Sequence, residues 1–334
     1  MRSDIEIRND AWARLWQGKW FWKLLAGTIL LNVCTQVVYA VLDGVLRRLG
    51  VFNLTALQAA LEASHKTGAA LPEFTPAVVF QLVSSTLLLF FFLFIMAGIS
   101  TYGSSVLLLR AVDGDDKSWM KAAFGGFSMP FGLAWLWLSV AFVLALWYVL
   151  AGLPCAAVLY GAYLIMPPSE CTTTGATCFY ALAITLALGL FLAVFCVPFY
   201  RYRYLFRLKA DHPEWSAWRC MRECAALVDG FKWRCFVHDC SYWRILLALL
   251  VPIVVVFAAV AFGVAGALAA KGASGGVPVS VIVAALVGVL AYLALIPLAL
   301  VAFFYVGLGQ TFLYREISLG KNTTTTNNER NSPQ

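Results

Sequence analysis

The composition of the chain excludes a water-soluble globular protein. Of its 334 residues, 62% are apolar and only 12% are charged. About a quarter of the residues of an ordinary soluble domain are charged, because such a domain must cover its surface with polar groups. The expected partners of so apolar a chain are membrane lipids, and no nucleic acid is expected among them.

Long stretches without charged residues predict six membrane-spanning helices. A charged side chain costs roughly 2.5 to 3.5 kcal/mol at the centre of a spanning helix, and about 20 apolar residues cross the hydrocarbon core. We therefore predict an all-α polytopic transmembrane helix bundle, formed by residues 1–320 as a single transmembrane domain. Its spans are expected at 22–46, 78–109, 130–152, 178–203, 243–270 and 278–306.

Residues 153–166 leave two alternatives open. They follow the third span within a long uncharged window, and eleven residues between Cys155 and Pro167 are too few for another crossing. They form either an extension of the third span or a separate broken helix. We count one crossing here and favour the broken extension.

The basic residues predict the orientation of the chain. In a six-span topology, 20 of the 24 Lys and Arg residues fall on one side, and the other four are Arg47, Arg48, Lys66 and Lys271. Because Lys and Arg are enriched in cytoplasmic loops, both termini are expected in the cytoplasm. Residues 321–334 are rich in Thr and Asn without hydrophobic periodicity, which predicts a disordered cytoplasmic tail.

Three short amphipathic helices are expected on the cytoplasmic side, at about 4–17, 115–125 and 212–229. Ser3 and Glu6 have the spacing of a capping box at the start of the first helix. Trp12, Leu15 and Trp16 then share one face, which predicts a helix lying on the inner leaflet.

The third amphipathic helix is marked by a second capping-box spacing, with Pro213 in its first turn. The capping pair is Asp211 and Glu214, and the predicted apolar stripe consists of Trp218, Met221, Ala225 and Val228. Arg219 and Arg222 flank the stripe. The helix therefore either binds anionic lipids of the inner leaflet or packs its stripe on neighbouring spans.

The spans suggest a threefold hairpin repeat, in which a short helix and a glycine-containing turn precede each pair of spans. The turns begin at Gly18, Gly126 and Gly230. The corresponding hairpins return to Arg110, Arg207 and Arg315.

Two groups of residues form a recognisable motif. After the His212-Pro213 turn the motif consists of Gly230, Lys232, Trp233, Phe236, Asp239 and Ser241, and at the end of the last span of Phe312, Tyr314 and Arg315. In these residues the chain resembles a bacterial family of integral membrane proteins called domain of unknown function 975. The resemblance implies a location in the bacterial inner membrane and this architecture, and it implies no activity.

No cluster of residues predicts catalysis, and we expect no cofactor. One segment has the Gly-x-Ser-x-Gly sequence pattern of a nucleophile elbow, namely Gly272-Ala273-Ser274-Gly275-Gly276. That motif requires a strand and an α/β sheet. An intramembrane serine protease would require a later His to accept the proton, and no His follows His238. A flexible external turn is the favoured interpretation of this segment, and an intramembrane serine hydrolase is the third and least favoured function.

Cysteine residues suggest two further sites. The first is a possible zinc site, with the candidate ligands Cys220, Cys224, Cys235, His238 and Cys240. Burial of the cysteines as small apolar residues is favoured over zinc binding, because the spacing of these residues matches no common zinc site. Cys171 and Cys178 lie in a loop assigned to the outside. A disulfide there is geometrically plausible and would be structural.

Polar residues within the spans leave transport open as an alternative. Those that would line a pore or a carrier for a neutral or amphiphilic molecule are Asn32, Gln36, Gln81, Ser84, Ser85 and Thr86. They would equally serve as hydrogen bonds between helices. Asp43 and Arg47 are interpreted as a local pair at the interface, while Pro198, Pro252 and Pro297 are positions where a transporter helix would break.

The leading hypothesis from the sequence is a non-enzymatic inner-membrane protein that binds partners or lipids as a scaffold. The expected partners are anionic lipids of the inner leaflet, together with a protein partner or further copies of the chain.

Overall fold

The regular elements of the structure are helices. The structure is a computed structural model that describes residues 2–48, 76–115, 118–165, 174–270 and 279–330. Within these ranges there are two short 3-10 helices, Gln17–Lys19 and Phe124–Ser128, and eleven α-helices. The α-helices are α1 Asp4–Trp16, α2 Trp20–Arg48, α3 Pro76–Asp113, α4 Trp119–Ala123, α5 Pro130–Ile165, α6 Thr174–Arg201, α7 Leu205–Asp211, α8 Ala217–Val228, α9 Lys232–Cys240, α10 Trp243–Ala270 and α11 Val279–Arg330.

Six long helices, α2, α3, α5, α6, α10 and α11, coincide with the six predicted spans. Five continuous helices are long and apolar enough to cross a membrane. A sixth candidate consists of Lys232–Ile245 and Leu247–Gly263, which are bent by 50° relative to each other. The chain is therefore a multi-pass membrane protein built as an all-α helix bundle.

The third span is longer than predicted and is not broken. Helix α5 continues to Ile165 with Pro154 inside it, so residues 153–165 extend the span and do not form a separate helix. Pro198, Pro252 and Pro297 also lie inside helices, α6, α10 and α11, and none of them ends its helix. Each proline removes one backbone donor, and in lipid the remaining hydrogen bonds of the helix are too costly to give up.

Helix α8 begins five residues after the predicted start of the third amphipathic helix. The Oγ atom of Ser216 accepts a hydrogen bond from the backbone N–H of Arg219 at 3.3 Å, so Ser216 caps the helix. The preceding turn is held by Lys209, whose Nζ donates to the carbonyl oxygens of Pro213 at 2.7 Å and Trp215 at 2.5 Å. The buried ammonium group of Lys209 thus accepts the role that backbone N–H groups would have in a longer helix, because it donates hydrogen bonds to these two carbonyl groups.

Helix α11 is also longer than the predicted sixth span, because it continues to Arg330. Residues 321–330, which the sequence assigns to a disordered tail, are therefore helical in the structure. A helix that is already nucleated can extend through residues of low propensity, since each added residue gains a hydrogen bond without a new nucleation cost.

The chain divides into two compact units, of which the first comprises residues 1–25, 108–117 and 226–334. Helix α1 packs on α11, and Ile7, Ala11 and Leu15 on α1 are fully buried. Helices α10 and α11 form an antiparallel hairpin in which Gly263 approaches Ala284 and Gly288 approaches Ala259. Small residues at these positions allow the two backbones to lie close together.

The second unit comprises residues 26–107 and 118–225. Its core cluster joins α3 to the start of α5 and consists of Ile95, Met96, Ile99, Tyr102, Leu133 and Ala134. A Cβ atom at Gly103 would lie 2.5 Å from the carbonyl oxygen of Ala123 and 2.9 Å from Leu31. Glycine is therefore required where α3 passes these neighbours.

The order of the described helices is compatible with the proposed threefold repeat. One or more short helices precede each pair of long helices: α1 before α2 and α3, α4 before α5 and α6, and α7 to α9 before α10 and α11. The turns are similar only in part. Gly18 and Gly230 have positive φ values of 60° and 83°, whereas Gly126 is buried in a 3-10 helix.

Candidate functional site

Helix α1 begins with the predicted capping box. The backbone N–H of Glu6 donates to Ser3 Oγ at 3.3 Å, and the backbone N–H of Ser3 donates to Glu6 Oε2 at 2.8 Å. The helix turns Leu15 towards α11, while Trp12 and Trp16 remain about half exposed. The predicted apolar face is thus divided, since Leu15 packs on the protein and the two indole rings lie at its surface.

A buried hydrogen-bonded chain of side chains fixes the start of α1 to α9 within the first unit. His238 of α9 is fully buried, and its Nδ1 atom lies 3.2 Å from Asp4 Oδ1. Its Nε2 atom lies 3.4 Å from the hydroxyl oxygen of Tyr242. Tyr242 in turn packs edge-to-face on Tyr305, with ring centroids 5.2 Å apart. An aspartate, a histidine and a tyrosine therefore form a continuous polar path from the first helix to the turn before α10.

Gly309 of α11 provides the space for this chain. A Cβ atom at this position would overlap the Tyr242 hydroxyl group and lie 3.3 Å from His238 Nε2. The path is therefore enclosed by α11 as well as by α1, α9 and α10, and a side chain at position 309 would displace it.

A second polar network lies between the first residues of the chain, α9 and α11. The backbone N–H of Arg2 donates to Glu316 Oε1 at 2.6 Å. Arg234 donates to the carbonyl oxygen of Arg2 at 2.7 Å and lies 3.4 Å from the Glu316 carboxylate. In addition, Arg8 donates to the carbonyl oxygen of Ser241 at 2.6 Å. Helix α1 is thus bound to the protein by polar contacts at its N-terminal half as well as by its apolar face.

The residues that carry the resemblance to domain of unknown function 975 lie in different environments. Gly230 forms the left-handed turn between α8 and α9, and Lys232 pairs with Asp229 at 3.2 Å. Trp233 is 73% exposed and packs against Phe236. Asp239 is partly buried, and Ser241 donates to the carbonyl oxygen of His238 at 2.6 Å.

The motif residues at the end of the last span are mostly buried. Phe312 and Tyr314 belong to the core of the first unit. Arg315 donates to both carboxylate oxygens of Asp113, with 3.0 Å between its Nε and Oδ1. The paired geometry ties the end of α3 to α11.

Helix α8 presents a basic aromatic face, defined here as Trp218, Arg219 and Arg222. All three are exposed, Trp218 by 73%, and the guanidinium of Arg219 lies 4.6 Å from the Trp215 ring centroid. The opposite face buries Cys220, Met221, Cys224 and Val228. Of the predicted stripe, Met221 and Val228 are buried and Trp218 lies at the surface, while Cys220 and Cys224 complete the buried face.

The candidate zinc ligands are not brought together. Among the residues that the structure describes, no three His, Cys, Asp or Glu side chains are arranged to hold a metal ion. Cys220, Cys224 and Cys235 are buried, whereas Cys240 is exposed, and His238 contacts Asp4 and Tyr242. Burial raises the pKa of the Cys220 thiol, which fits a small apolar residue inside a protein.

Several predicted site residues lie outside the described part of the chain. These are Cys171, Ser274, and the side chains of Asp43, Arg47, Gln81, Ser85 and Thr86. The disulfide between Cys171 and Cys178 thus stays a prediction, with Cys178 exposed. Of the proposed pore lining, Asn32 and Gln36 are exposed on α2 and Ser84 is partly buried.

Comparison with known proteins gives no relative. No model of a protein family matches the chain, and no curated protein or solved structure matches it either.

Proposed function

We propose that this protein is a non-enzymatic scaffold of the bacterial inner membrane, with both termini in the cytoplasm, that holds anionic lipid headgroups at the basic aromatic face of α8. The observation that carries the proposal is the division of α8 into a fully buried face and a face with an exposed indole and two arginines. The resemblance to domain of unknown function 975 is part of this proposal.

The chemistry of the face fits a lipid interface. Indole rings favour the headgroup region of a bilayer, and each basic residue near an anionic surface adds about 1 kcal/mol of attraction. Because Cys220 and Cys224 are buried on the opposite side, the helix cannot rotate to hide Trp218 without exposing apolar residues. The face is therefore presented in a fixed direction.

The role as a scaffold is supported by the way α1 is held. This helix is fixed by the Asp4–His238–Tyr242 path and by Arg8, while Trp12 and Trp16 remain about half exposed. Such a helix offers aromatic side chains to lipid or to a partner without moving. The buried histidine has a structural role in this proposal, in which the polar path binds the N-terminal helix and performs no reaction.

The test is lipid binding by the full-length protein in mild detergent, measured by native mass spectrometry. Phosphatidylglycerol is expected to bind more tightly than phosphatidylcholine, and R219Q/R222Q should remove most of the difference. A matched control is R47Q/R48Q, which removes the same charge from residues assigned to the opposite side. Equal binding of the two lipids, or an equal effect of the two double variants, would contradict the proposal.

A further inference from the structure

Helix α2 carries a row of polar and small residues that no described residue of the second unit covers. Asn32, Gln36, Ala40 and Gly44 follow one another at intervals of four, so they form one ridge along the helix. All four are exposed, and a Cβ atom at Gly44 would have no described atom within 4 Å. The opposite side of α2 contacts the protein through Leu31, which is 1% exposed.

The two carboxamides lie near the middle of the bilayer. Helix α2 has no charged residue between Lys23 and Asp43, and at about 1.5 Å per residue this interval matches a hydrocarbon core of about 30 Å. Its midpoint is residue 33, so Asn32 and Gln36 lie within three residues of the bilayer centre. Lipid tails offer no hydrogen bonds, so an exposed carboxamide at this depth requires a protein partner.

The hydrogen bonds within α2 do not use up these groups. Asn32 Nδ2 donates to the carbonyl oxygen of Thr28 at 2.9 Å. A carboxamide has two N–H donors and an oxygen that accepts two hydrogen bonds. Asn32 therefore keeps a donor and an acceptor after its contact with Thr28.

We propose that the ridge Asn32–Gln36–Ala40–Gly44 is the interface through which two copies of this chain associate in the membrane. The ridge is complementary to itself, because every carboxamide carries both a donor and an acceptor. A two-fold axis beside α2 places the carboxamides of the two copies against each other. Ala40 and Gly44 allow the two helix backbones to approach, as small residues four apart do in other membrane helices.

The apolar neighbours of the ridge fit the same arrangement. Ile29, Val33 and Val37 are exposed beside it, so they would pack around the central carboxamides when two α2 helices meet. This interface uses α2 alone and does not depend on lipid binding by α8. The two proposals therefore fail independently.

The experiment measures self-association of the full-length protein in lipid vesicles, by energy transfer between two fluorescently labelled populations at several protein-to-lipid ratios. The wild-type protein is expected to form dimers, and N32L/Q36L to weaken the association about tenfold. This variant replaces polar groups by apolar ones of similar size, which favours insertion of α2. A second variant, A40I/G44I, should also weaken the association by separating the backbones.

The matched control is T185L in α6. Thr185 is exposed near the middle of its helix, and its hydroxyl donates to the carbonyl oxygen of Ala181 at 2.7 Å. This variant should associate like the wild type, and R219Q/R222Q should do the same. A wild-type protein that remains monomeric at every ratio, or N32L/Q36L that associates as strongly as T185L, would overturn the proposal.

Discussion

The imidazole of His238 lies 3.2 Å from the carboxylate of Asp4, although 234 positions separate the two residues in the sequence. Asp4 is in the first turn of α1, and His238 is completely buried in α9. This contact joins the beginning of the chain to a helix that precedes the fifth span, and it explains how a 13-residue helix is held in one position.

Replacement of Asp4 by Ala is expected to loosen α1. The buried imidazole would lose its partner on Nδ1, and an unsatisfied buried polar group costs about 1–3 kcal/mol. Amide hydrogen exchange of residues 4–16 in detergent should become faster by one to two orders of magnitude. H238L should have the same effect on α1, because it removes the other half of the contact.

The control for this prediction is D10A in the same helix. Asp10 pairs with Arg2 at 2.6 Å, and both side chains are about half exposed, so the pair contributes at most about 1 kcal/mol. Unchanged exchange in both D4A and H238L would show that the contact does not hold the helix.

Replacement of Gly309 by Ala is expected to destabilise the first unit. The new methyl group would overlap the Tyr242 hydroxyl group, and overpacking of this kind costs about 1–3 kcal/mol. The Tm in detergent should fall, and Y242F should restore part of it in the double variant. G189A is the matched control, since no atom of the described residues lies within 4 Å of the Cβ position at Gly189. A fall in Tm of the same size in G189A would refute overpacking as the cause in G309A.

The cysteines of the cytoplasmic segment are expected to differ in their reaction with maleimide. Burial raises the pKa of Cys220, so less of its reactive thiolate is present at a given pH, and Cys224 and Cys235 are also buried. Cys240 is exposed and should react much faster in the folded protein. Peptide mass spectrometry before and after denaturation measures the difference, and rapid native labelling of Cys220 would be inconsistent with the structure.

The proposed orientation predicts from which side Cys240 can be reached. In intact bacterial cells, a membrane-impermeant maleimide should label Cys240 only after the membrane is permeabilised, because the segment 201–244 is rich in basic residues. K66C, on the side assigned to the exterior, should be labelled without permeabilisation. Labelling of Cys240 in intact cells would reverse the proposed topology.

The sequence predicted the long helices because a spanning helix depends on the types of residue within one continuous segment. The windows between charged residues coincide with α2, α3, α5, α6, α10 and α11, and the Ser3–Glu6 capping box is present as predicted. Both features depend on residues within a few turns of one another, so the sequence alone contains the information.

The candidate sites were less predictable because their partners are distant in the sequence. His238 was considered as a zinc ligand with nearby cysteines, and its contacts include Asp4, far away in the sequence, and Tyr242. Tyr305 and Gly309 had no motif that distinguished them. The sequence around His238 is mixed polar and apolar, and nothing in it names a distant partner.

The third amphipathic helix shows what its sequence pattern left open. The pattern placed Trp218 on one apolar stripe with Met221 and Val228 and did not decide between a stripe that meets lipid and one that packs on neighbouring spans. In the structure, Ser216 caps α8 and the inner face contains Cys220 and Cys224. Both faces carry apolar residues, so packing against neighbouring elements selects the one that is buried.

The sequence by itself determined that this chain is a helical membrane protein, because the cost of placing a charge in hydrocarbon depends on residue type and spacing alone. Only the tertiary structure decided which polar groups meet inside the protein and which helix faces stay open. Those outcomes follow from contacts between distant segments, such as Asp4 with His238, and from the lack of a covering helix in the described chain beside Asn32 and Gln36.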